Sequence, residues 1–227
     1  MLETATAQAA IAQAAERYRP AGRWAYGFAR GKMGGDPAYK RVLELLEGHG
    51  RGTLVDVGCG EGHLLALARA LYPELSLFGV DHDGERVATA RVALHGFERL
   101  VLEAGDARTV SLPACQVLCC LDVLHYMSLE DQDLLLTRFA EALAPGGILL
   151  IRDGRSGAGF RSTLTRLSEQ LAVAFGRHKG EGVYFREAEA TRATLSALGL
   201  EVELQDCAQG TPFANVLWIG RKPGAQA

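Results

Sequence analysis

The sequence lacks a long hydrophobic run and any strong excess of charge of one sign. No apolar stretch approaches the roughly 20 residues that a helix needs to span a bilayer. The net charge of −3 and the pI of about 6.1 provide no overall basic field to attract nucleic acid or an anionic membrane surface. We therefore expect no membrane partner and no nucleic-acid partner, although net charge alone leaves a local basic groove open.

The sequence also lacks a disulfide framework, a zinc-binding pattern and a secretion signal. Its five cysteines show no CxxC spacing, so we expect no metal site. Cys119 and Cys120 lie within an apolar run, where a thiol packs as a small hydrophobic side chain. Residues 1–18 carry acids and have no continuous apolar core of the kind that signal peptides need. These features predict a cytoplasmic protein.

What the sequence does contain is an alternation of short apolar runs with longer helical patterns. A chain of 227 residues fits one domain. The apolar runs of strand length lie at 53–57, 77–80, 100–103, 116–121, 147–151, 201–206 and 215–220. Helical patterns separate most of these runs, at 62–71, 84–94, 129–143 and 187–198. Such alternation is typical of parallel βαβ units.

The connection between the last two predicted strands is too short for a parallel crossover. It spans residues 207–214, whereas a crossover usually needs a dozen residues or more. These two strands therefore form an antiparallel hairpin. The sequence predicts an α/β fold, with a doubly wound seven-stranded sheet that is mostly parallel and has an antiparallel last strand.

The first fifty residues precede the alternating pattern. Residues 4–19 have a helical composition that Pro20 ends, and residues 21–36 are rich in glycine and aromatics, which predicts a loop. Asp36 can cap a further helix that has Pro37 at its first position. We expect this part of the chain to form a helical lid.

The rest of the single domain divides into three parts. Residues 51–153 form the core, and residues 154–186 are an insertion that we expect to cap it. Residues 187–227 supply the final helix and the hairpin.

A glycine-rich turn follows the first predicted strand. The sequence at 55–64 is VDVGCGEGHL, in which a buried strand ends near an acid and a tight turn opens a helix. Glycine at 58, 60 and 62 permits a positive φ and lets a ligand approach the backbone closely. A turn that binds no ligand remains the alternative at this point.

Two residues beside this turn distinguish it from a dinucleotide-binding turn. The dinucleotide pattern GxGxxG allows glycine or alanine at its last position, where this chain has His63. Asp56 precedes the first glycine by two residues, and a carboxylate suits a ligand with an ammonium or sulfonium better than a pyrophosphate. A nucleotide-dependent oxidoreductase of related fold is therefore disfavoured but not excluded.

Acids also end the second and third predicted strands. Asp81 lies 25 residues after Asp56 and can accept both hydroxyls of a ribose. Asp83 is expected to cap the next helix, and His82 lies either beside a bound base or in a solvent-facing loop. Asp106 belongs to a Gly-Asp pair that is by itself an ordinary turn, and its position after the third strand gives it weight.

The fourth and fifth strands end in further polar residues. Ligands of open α/β sheets bind outside the carboxyl ends of the strands, where Asp122 and His125 follow the fourth strand and Asp153 follows the fifth. Because an imidazole can act as a base near neutral pH, His125 is either a general base or a residue that only shapes the pocket. Asp153 either orients a substrate or a base, or pairs with Arg152.

The turn at 55–64, together with LAPGGILLI at 143–151, resembles the motifs of class I S-adenosylmethionine-dependent methyltransferases. The resemblance implies that Asp81 holds the ribose and Asp106 the adenine amino group, with the Ala107 backbone nearby. Small-molecule enzymes of the class carry a similar D-x-L-H stretch, here at residues 122–125, which makes His125 the leading candidate for a general base. Asp153 is the second candidate catalytic residue, because it lies at the same end of the sheet. The implied S-adenosyl-L-methionine contacts are Asp56, Gly58, Cys59, Gly60, Gly62, Asp81, His82, Asp106, Ala107 and Asp122.

The resemblance also narrows the acceptor. The sequence lacks the Asn/Asp-Pro-Pro-Tyr segment of enzymes that methylate nucleic-acid bases. Residues 31–37 and 211–215 are similar to a bacterial branch associated with aryl-polyene and related polyketide-type pigment pathways. This similarity implies O- or C-methylation of a small molecule, such as an aromatic acid or a carrier-bound aromatic or polyketide intermediate. A non-catalytic sensor or assembly subunit that binds S-adenosylmethionine stays open, and so does the oligomeric state.

Overall fold

The computed structural model describes residues 4–154, 182–207 and 215–224. The chain divides into two compact units, residues 1–117 and residues 118–227. None of the described helices is long and apolar enough to cross a membrane.

The first unit contains five helices and three strands among its described residues. The helices are α1 (Thr4–Glu16), α2 (Arg23–Gly35), α3 (Pro37–Leu46), α4 (His63–Leu71) and α5 (Gly84–Ala93). The strands are β1 (Thr53–Val57), β2 (Ser76–Asp81) and β3 (Leu100–Ala104). β2 pairs in parallel with both other strands, with Phe78 opposite Val55 and Val101. β1 and β2 are buried along almost their whole length, as expected for parallel strands covered on both faces.

The second unit begins within the fourth strand. Its elements are β4 (Cys115–Leu121), α6 (Leu129–Ala142), β5 (Leu143–Gly154), α7 (Ala188–Ala197), β6 (Glu201–Asp206) and β7 (Asn215–Arg221). β7 pairs antiparallel with both β5 and β6. The described strands form one sheet in the order β3-β2-β1-β4-β5-β7-β6. The predicted α/β fold, with seven strands and an antiparallel last strand, is confirmed.

The predicted loop at 21–36 is wrong, because most of it is helix α2. Glycine costs about 1 kcal/mol relative to alanine inside a helix, which is why the composition favoured a loop. Ala29 and Met33, one turn apart, are nevertheless buried on one face, and α2 packs against α1 and α4. Tertiary packing therefore overrides the low helix propensity. The expected cap is confirmed, since the Asp36 carboxylate accepts a hydrogen bond from the Ala38 N–H at 2.9 Å.

Two predicted boundaries also differ from the structure. α1 ends at Glu16, and Pro20 lies in a separate 3-10 turn at Arg19–Ala21. β5 is longer than the predicted 147–151, because its antiparallel pairing with β7 extends from Ile148 to Gly154. Most of the expected insertion and most of the 211–215 segment lie outside the described residues.

Candidate active site

The glycine turn of the first unit has the backbone that the sequence predicts. Gly58, Gly60 and Gly62 have φ values of 77°, 53° and 77°, a region that side chains with a β-carbon rarely adopt. The N–H groups of Gly58 and Cys59 both donate to the Val80 carbonyl, at 2.8 and 3.1 Å. The turn is therefore held against the end of β2.

Asp81 forms the polar end of β2. Its carboxylate accepts hydrogen bonds from the backbone N–H groups of Gly60 at 2.8 Å and Asp83 at 2.9 Å. Burial alone would raise the pKa of Asp81, but the hydrogen bonds from His82, Asp83 and Gly60 outweigh it and hold the pKa below its usual value. The site thus contains a fixed negative charge. Asp83 caps α5, as predicted.

Asp56 lies in the same unit but in a different environment. Asp56 is buried, with only 4% of its surface exposed. Burial and the neighbouring charge of Asp81 raise the pKa of Asp56 to about 7, against a smaller opposite effect of Lys32. A bound cation would favour the ionised carboxylate, so this position fits a ligand that carries an ammonium group.

Aromatic rings from the N-terminal helical region cover the start of α4. The ring of His63 lies 4.7 Å from that of Tyr18 and 5.6 Å from that of Phe28. The Tyr18 hydroxyl donates to the Glu61 carbonyl in the glycine turn at 2.8 Å. Burial, with the charge of Lys32, lowers the pKa of His63 to about 4, so its ring is neutral at pH 7. The sequence did not predict this packing.

The remaining predicted cofactor contacts of the first unit are less enclosed. The Asp106 carboxylate forms an ion pair with Arg108 at 2.6 Å, and hydrogen bonds from Arg108 lower its pKa. Ala107 is buried, and His82 is half exposed with its ring nitrogen 3.4 Å from the Asp81 carboxylate. The structure places these residues after β2 and β3, where they were expected, and their contacts with a cofactor stay predictions.

Asp122, at the end of β4 in the second unit, has an unusual backbone. Its φ is 61°, which is uncommon outside glycine and is tolerated by Asp and Asn better than by bulkier residues. Its N–H donates to the Arg152 carbonyl at 2.9 Å, and its carboxylate accepts from Arg152 Nε at 2.9 Å. Arg152 is itself buried. Asp122 therefore has a charged partner within its own unit, and its predicted cofactor contact stays a prediction.

His125 and Asp153 form a buried pair in the second unit. His125 Nδ1 lies 2.5 Å from Asp153 Oδ1, and the histidine is only 2% exposed. The same oxygen accepts from the Gly154 N–H at 2.8 Å, while the Phe185 ring stacks on the imidazole at 5.2 Å. Asp153 thus contacts His125, and Arg152 pairs with Asp122 instead, while the catalytic roles of His125 and Asp153 stay predictions.

Gln132 is a polar contributor that the sequence analysis missed. Its side-chain amide nitrogen lies 3.1 Å from the carbonyls of Leu124 and Met127 and 2.9 Å from that of Tyr184. The Tyr184 N–H in turn donates to the His125 carbonyl at 2.7 Å. Gln132 shares the buried face of α6 with the apolar residues Leu135, Leu136 and Phe139. A polar residue within such an apolar stripe is the signal that could have identified it.

The site residues include no candidate metal centre in the part of the chain that the structure describes. No group of three or more His, Cys, Asp or Glu side chains there could hold a metal ion. The five cysteines, all among the described residues, are buried and none of them forms a disulfide.

The sheet order, the glycine turn and the acids at the carboxyl ends of β1 and β2 define the class I methyltransferase fold. Residues 54–147 match the family model described as "Methyltransferase domain". This stretch therefore matches a methyltransferase domain, which confirms the predicted class and agrees with S-adenosylmethionine as the predicted cofactor.

Comparisons with individual proteins agree with this assignment. The chain is 28% identical over 173 residues to the tetracenomycin polyketide synthesis 8-O-methyl transferase TcmO of Streptomyces glaucescens, covering 75% of this chain and 49% of that protein. It is 30% identical over 114 residues to malonyl-[acyl-carrier protein] O-methyltransferase of Xylella fastidiosa (strain M23), covering 49% and 39%. The chain thus spans about half or less of the length of these curated relatives.

A solved structure supports the fold. An O-methyltransferase family protein from Burkholderia thailandensis superimposes with a TM-score of 0.65 at 21% identity, covering 96% of this chain and 64% of that one.

Proposed function

We propose that this protein transfers the methyl group of S-adenosylmethionine to a small-molecule acceptor. The acceptor class we favour is an aromatic acid or a carrier-bound aromatic or polyketide intermediate, methylated on oxygen or on an activated carbon. The observation that carries the proposal is the buried contact of His125 Nδ1 with Asp153 Oδ1 at 2.5 Å, which suits a general base.

The residues of the first unit fit the cofactor. Asp81 is held in its ionised form and can accept hydrogen bonds from ribose hydroxyls. Asp56 suits the α-ammonium, and the glycine backbone at 58–62 leaves room for close approach of the ligand. The bound cofactor supplies an activated methyl group on a sulfonium.

The second unit supplies the group that handles the proton. The Asp153 carboxylate accepts the Nδ1 proton of His125, which leaves Nε2 as the basic nitrogen. A phenol has a pKa near 10, by analogy with tyrosine, so its deprotonation assists attack on the methyl carbon. Nε2 takes the hydroxyl proton, and Asp153 stabilises the imidazolium that results. The protein must also hold the nucleophile in line, about 3–3.5 Å from the methyl carbon.

The names of the relatives support the acceptor class. One curated relative acts in tetracenomycin polyketide synthesis as an 8-O-methyl transferase, and another is named for a malonyl group on acyl carrier protein. Both names describe methylation of oxygen, and one describes a carrier-bound acceptor. An oxygen nucleophile also matches the need for a base such as His125.

A methyl-transfer screen tests the proposal. The purified chain is incubated with isotopically labelled S-adenosylmethionine and a panel of aromatic acids, their carrier-bound thioesters and small amines, with products detected by mass spectrometry. We expect label in a hydroxyl, carboxyl or activated carbon position of an aromatic or polyketide-type acceptor. Transfer to amines alone would contradict the acceptor class. Tight binding of S-adenosylhomocysteine without transfer to any member would favour a non-catalytic role.

A further inference from the structure

Lys32 is a positively charged residue of the first unit that has a fixed position but no function in the proposed reaction. Its Nζ lies 2.7 Å from Asp36 Oδ2 and 5.5 Å above the centre of the Tyr39 ring. Its side chain is 34% exposed, whereas that of Asp36 is 6% exposed. The ammonium group is therefore held by the buried carboxylate of Asp36, while the lysine side chain stays partly exposed and accessible to a ligand.

The helix that carries Lys32 places it on the side of the glycine turn. Phe28 and Lys32 are four residues apart on α2, and residues at this spacing share one face of a helix. The Phe28 ring lies 5.6 Å from the ring of His63, which directly follows Gly62. The charge of Lys32 also acts on both Asp56 and His63, since it lowers the pKa of each. Lys32 thus lies within electrostatic range of both ends of the turn.

The ligand of this turn has two charges at its amino-acid end. S-adenosylmethionine carries an α-ammonium and an α-carboxylate there, so a complementary site needs an anion and a cation close together. Asp56 supplies the anion. An ammonium that is already oriented by Asp36 loses less conformational freedom when it binds a carboxylate, and such charge-assisted hydrogen bonds are among the stronger ones in proteins.

We propose that Lys32 binds the α-carboxylate of the cofactor, while Asp56 binds its α-ammonium. This inference deepens the proposed function and depends on its cofactor. It makes α2 part of the cofactor site, in addition to the turn after β1. It also makes the carboxylate a determinant of binding, so that an adenosyl thioether lacking this group should bind more weakly.

The test compares two ligands by calorimetry and does not depend on turnover. The ligands are S-adenosylhomocysteine and its decarboxylated analogue, which keeps the adenosine, the sulfur and the amine. We expect the wild-type protein to bind S-adenosylhomocysteine about tenfold more tightly than the analogue, as the loss of one charge-assisted contact would give. Lys32→Gln should bind both ligands within about twofold of each other, and Lys32→Arg should retain part of the preference.

Lys40→Gln provides the matched control, because it removes the same charge from an exposed lysine of α3. It should keep the full preference of the wild type. A tenfold preference that survives in Lys32→Gln, or equal binding of both ligands by the wild type, would overturn the role of Lys32 and leave the cofactor intact. If the folded wild type binds neither ligand, the proposed cofactor fails and the role of Lys32 fails with it. Where Lys32→Gln does not fold, the wild-type comparison still tests whether the carboxylate is recognised, and Lys32→Arg tests whether Lys32 is the residue that recognises it.

Discussion

The carboxylates at the ends of the strands have different hydrogen-bond partners in the two units. In the first unit, Asp81 is held by backbone N–H groups of the turns after β1 and β2, and Asp56 is buried with its pKa raised to about 7. In the second unit, Asp153 contacts His125, and Asp122 contacts Arg152. Asp81 also has a histidine neighbour, but His82 is half exposed, whereas the histidine partner of Asp153 is buried. Backbone donors do not titrate, whereas a buried histidine partner can accept and release a proton.

This difference indicates a division of labour between binding and chemistry. The Asp56 carboxyl is balanced only weakly by the charge of Lys32, so a charged ligand would complete the site. The carboxylates of the second unit already have ionisable partners, and an acceptor would use the histidine. Substitutions in the first unit should therefore change cofactor affinity, and substitutions in the second should change turnover.

Removing the base is the strongest test of this division. His125→Ala should lower kcat at least 100-fold with a phenolic acceptor, because general-base catalysis contributes about 10²–10⁴-fold. Affinity for S-adenosylhomocysteine, measured by calorimetry, should stay within about twofold. His95→Ala is the control, since it removes an exposed histidine. Unchanged turnover of His125→Ala would assign the histidine to packing and not to proton transfer.

Asp81→Asn should lower cofactor affinity and leave turnover nearly unchanged. The change weakens two backbone hydrogen bonds to a charged acceptor and removes the charge expected to hold the ribose, which together should reduce S-adenosylhomocysteine affinity about 10- to 100-fold. At saturating cofactor, kcat should recover to within a few-fold of the wild type. A loss of kcat that saturation does not restore would break the proposed separation.

The buried carboxyl group of Asp56 should make the stability of the protein depend on pH. Its pKa is about 7 in the folded chain, above the ordinary value of 3.8, so folding becomes less favourable as the pH rises from about 4 to about 7. Asp56→Asn removes this penalty. Its free energy of unfolding relative to the wild type should therefore increase across that range, by about 4 kcal/mol, since one pKa unit corresponds to about 1.4 kcal/mol, and stay level above it.

Urea denaturation of both proteins at pH 5, 6, 7 and 8 measures this trend. The same variant should bind S-adenosylhomocysteine more weakly, since it loses the partner of the ammonium. A relative stability that does not vary with pH would show that Asp56 is ionised at little cost.

The regular part of the fold was predictable because it depends on local patterns. β1 and β6 have the predicted bounds, and the acids near the carboxyl ends of the strands were found from the order of the strands. The helix at Arg23–Gly35 was not predictable in this way, because its stability depends on burial against α1 and α4 and not on its own glycine-rich sequence. The length of β5 likewise depends on β7, about 65 residues later in the chain.

The candidate site shows the same limit. Sequence order identified His125 and Asp153 separately but left the partner of Asp153 undecided between two alternatives. The contacts of Gln132 with Tyr184, 52 residues away, and of Tyr18 with Glu61, 43 residues away, have no local signature. Such pairs are defined only by the folded chain.

Gln132 should produce the smallest of these effects, because it acts on the base through the backbone. Gln132→Met keeps the length of the side chain but removes the donor that contacts the carbonyls of Leu124, Met127 and Tyr184. We expect kcat to fall about three- to tenfold, with little change in KM for the cofactor, since His125 would be less firmly oriented. Gln205→Met, on β6, is the control and should leave both constants unchanged.

The pH dependence of kcat distinguishes positioning from a general loss of stability. A loosened His125–Asp153 contact shifts the acidic limb of the profile, whereas partial unfolding lowers the whole profile without moving it. A uniform decrease would therefore assign Gln132 to packing alone.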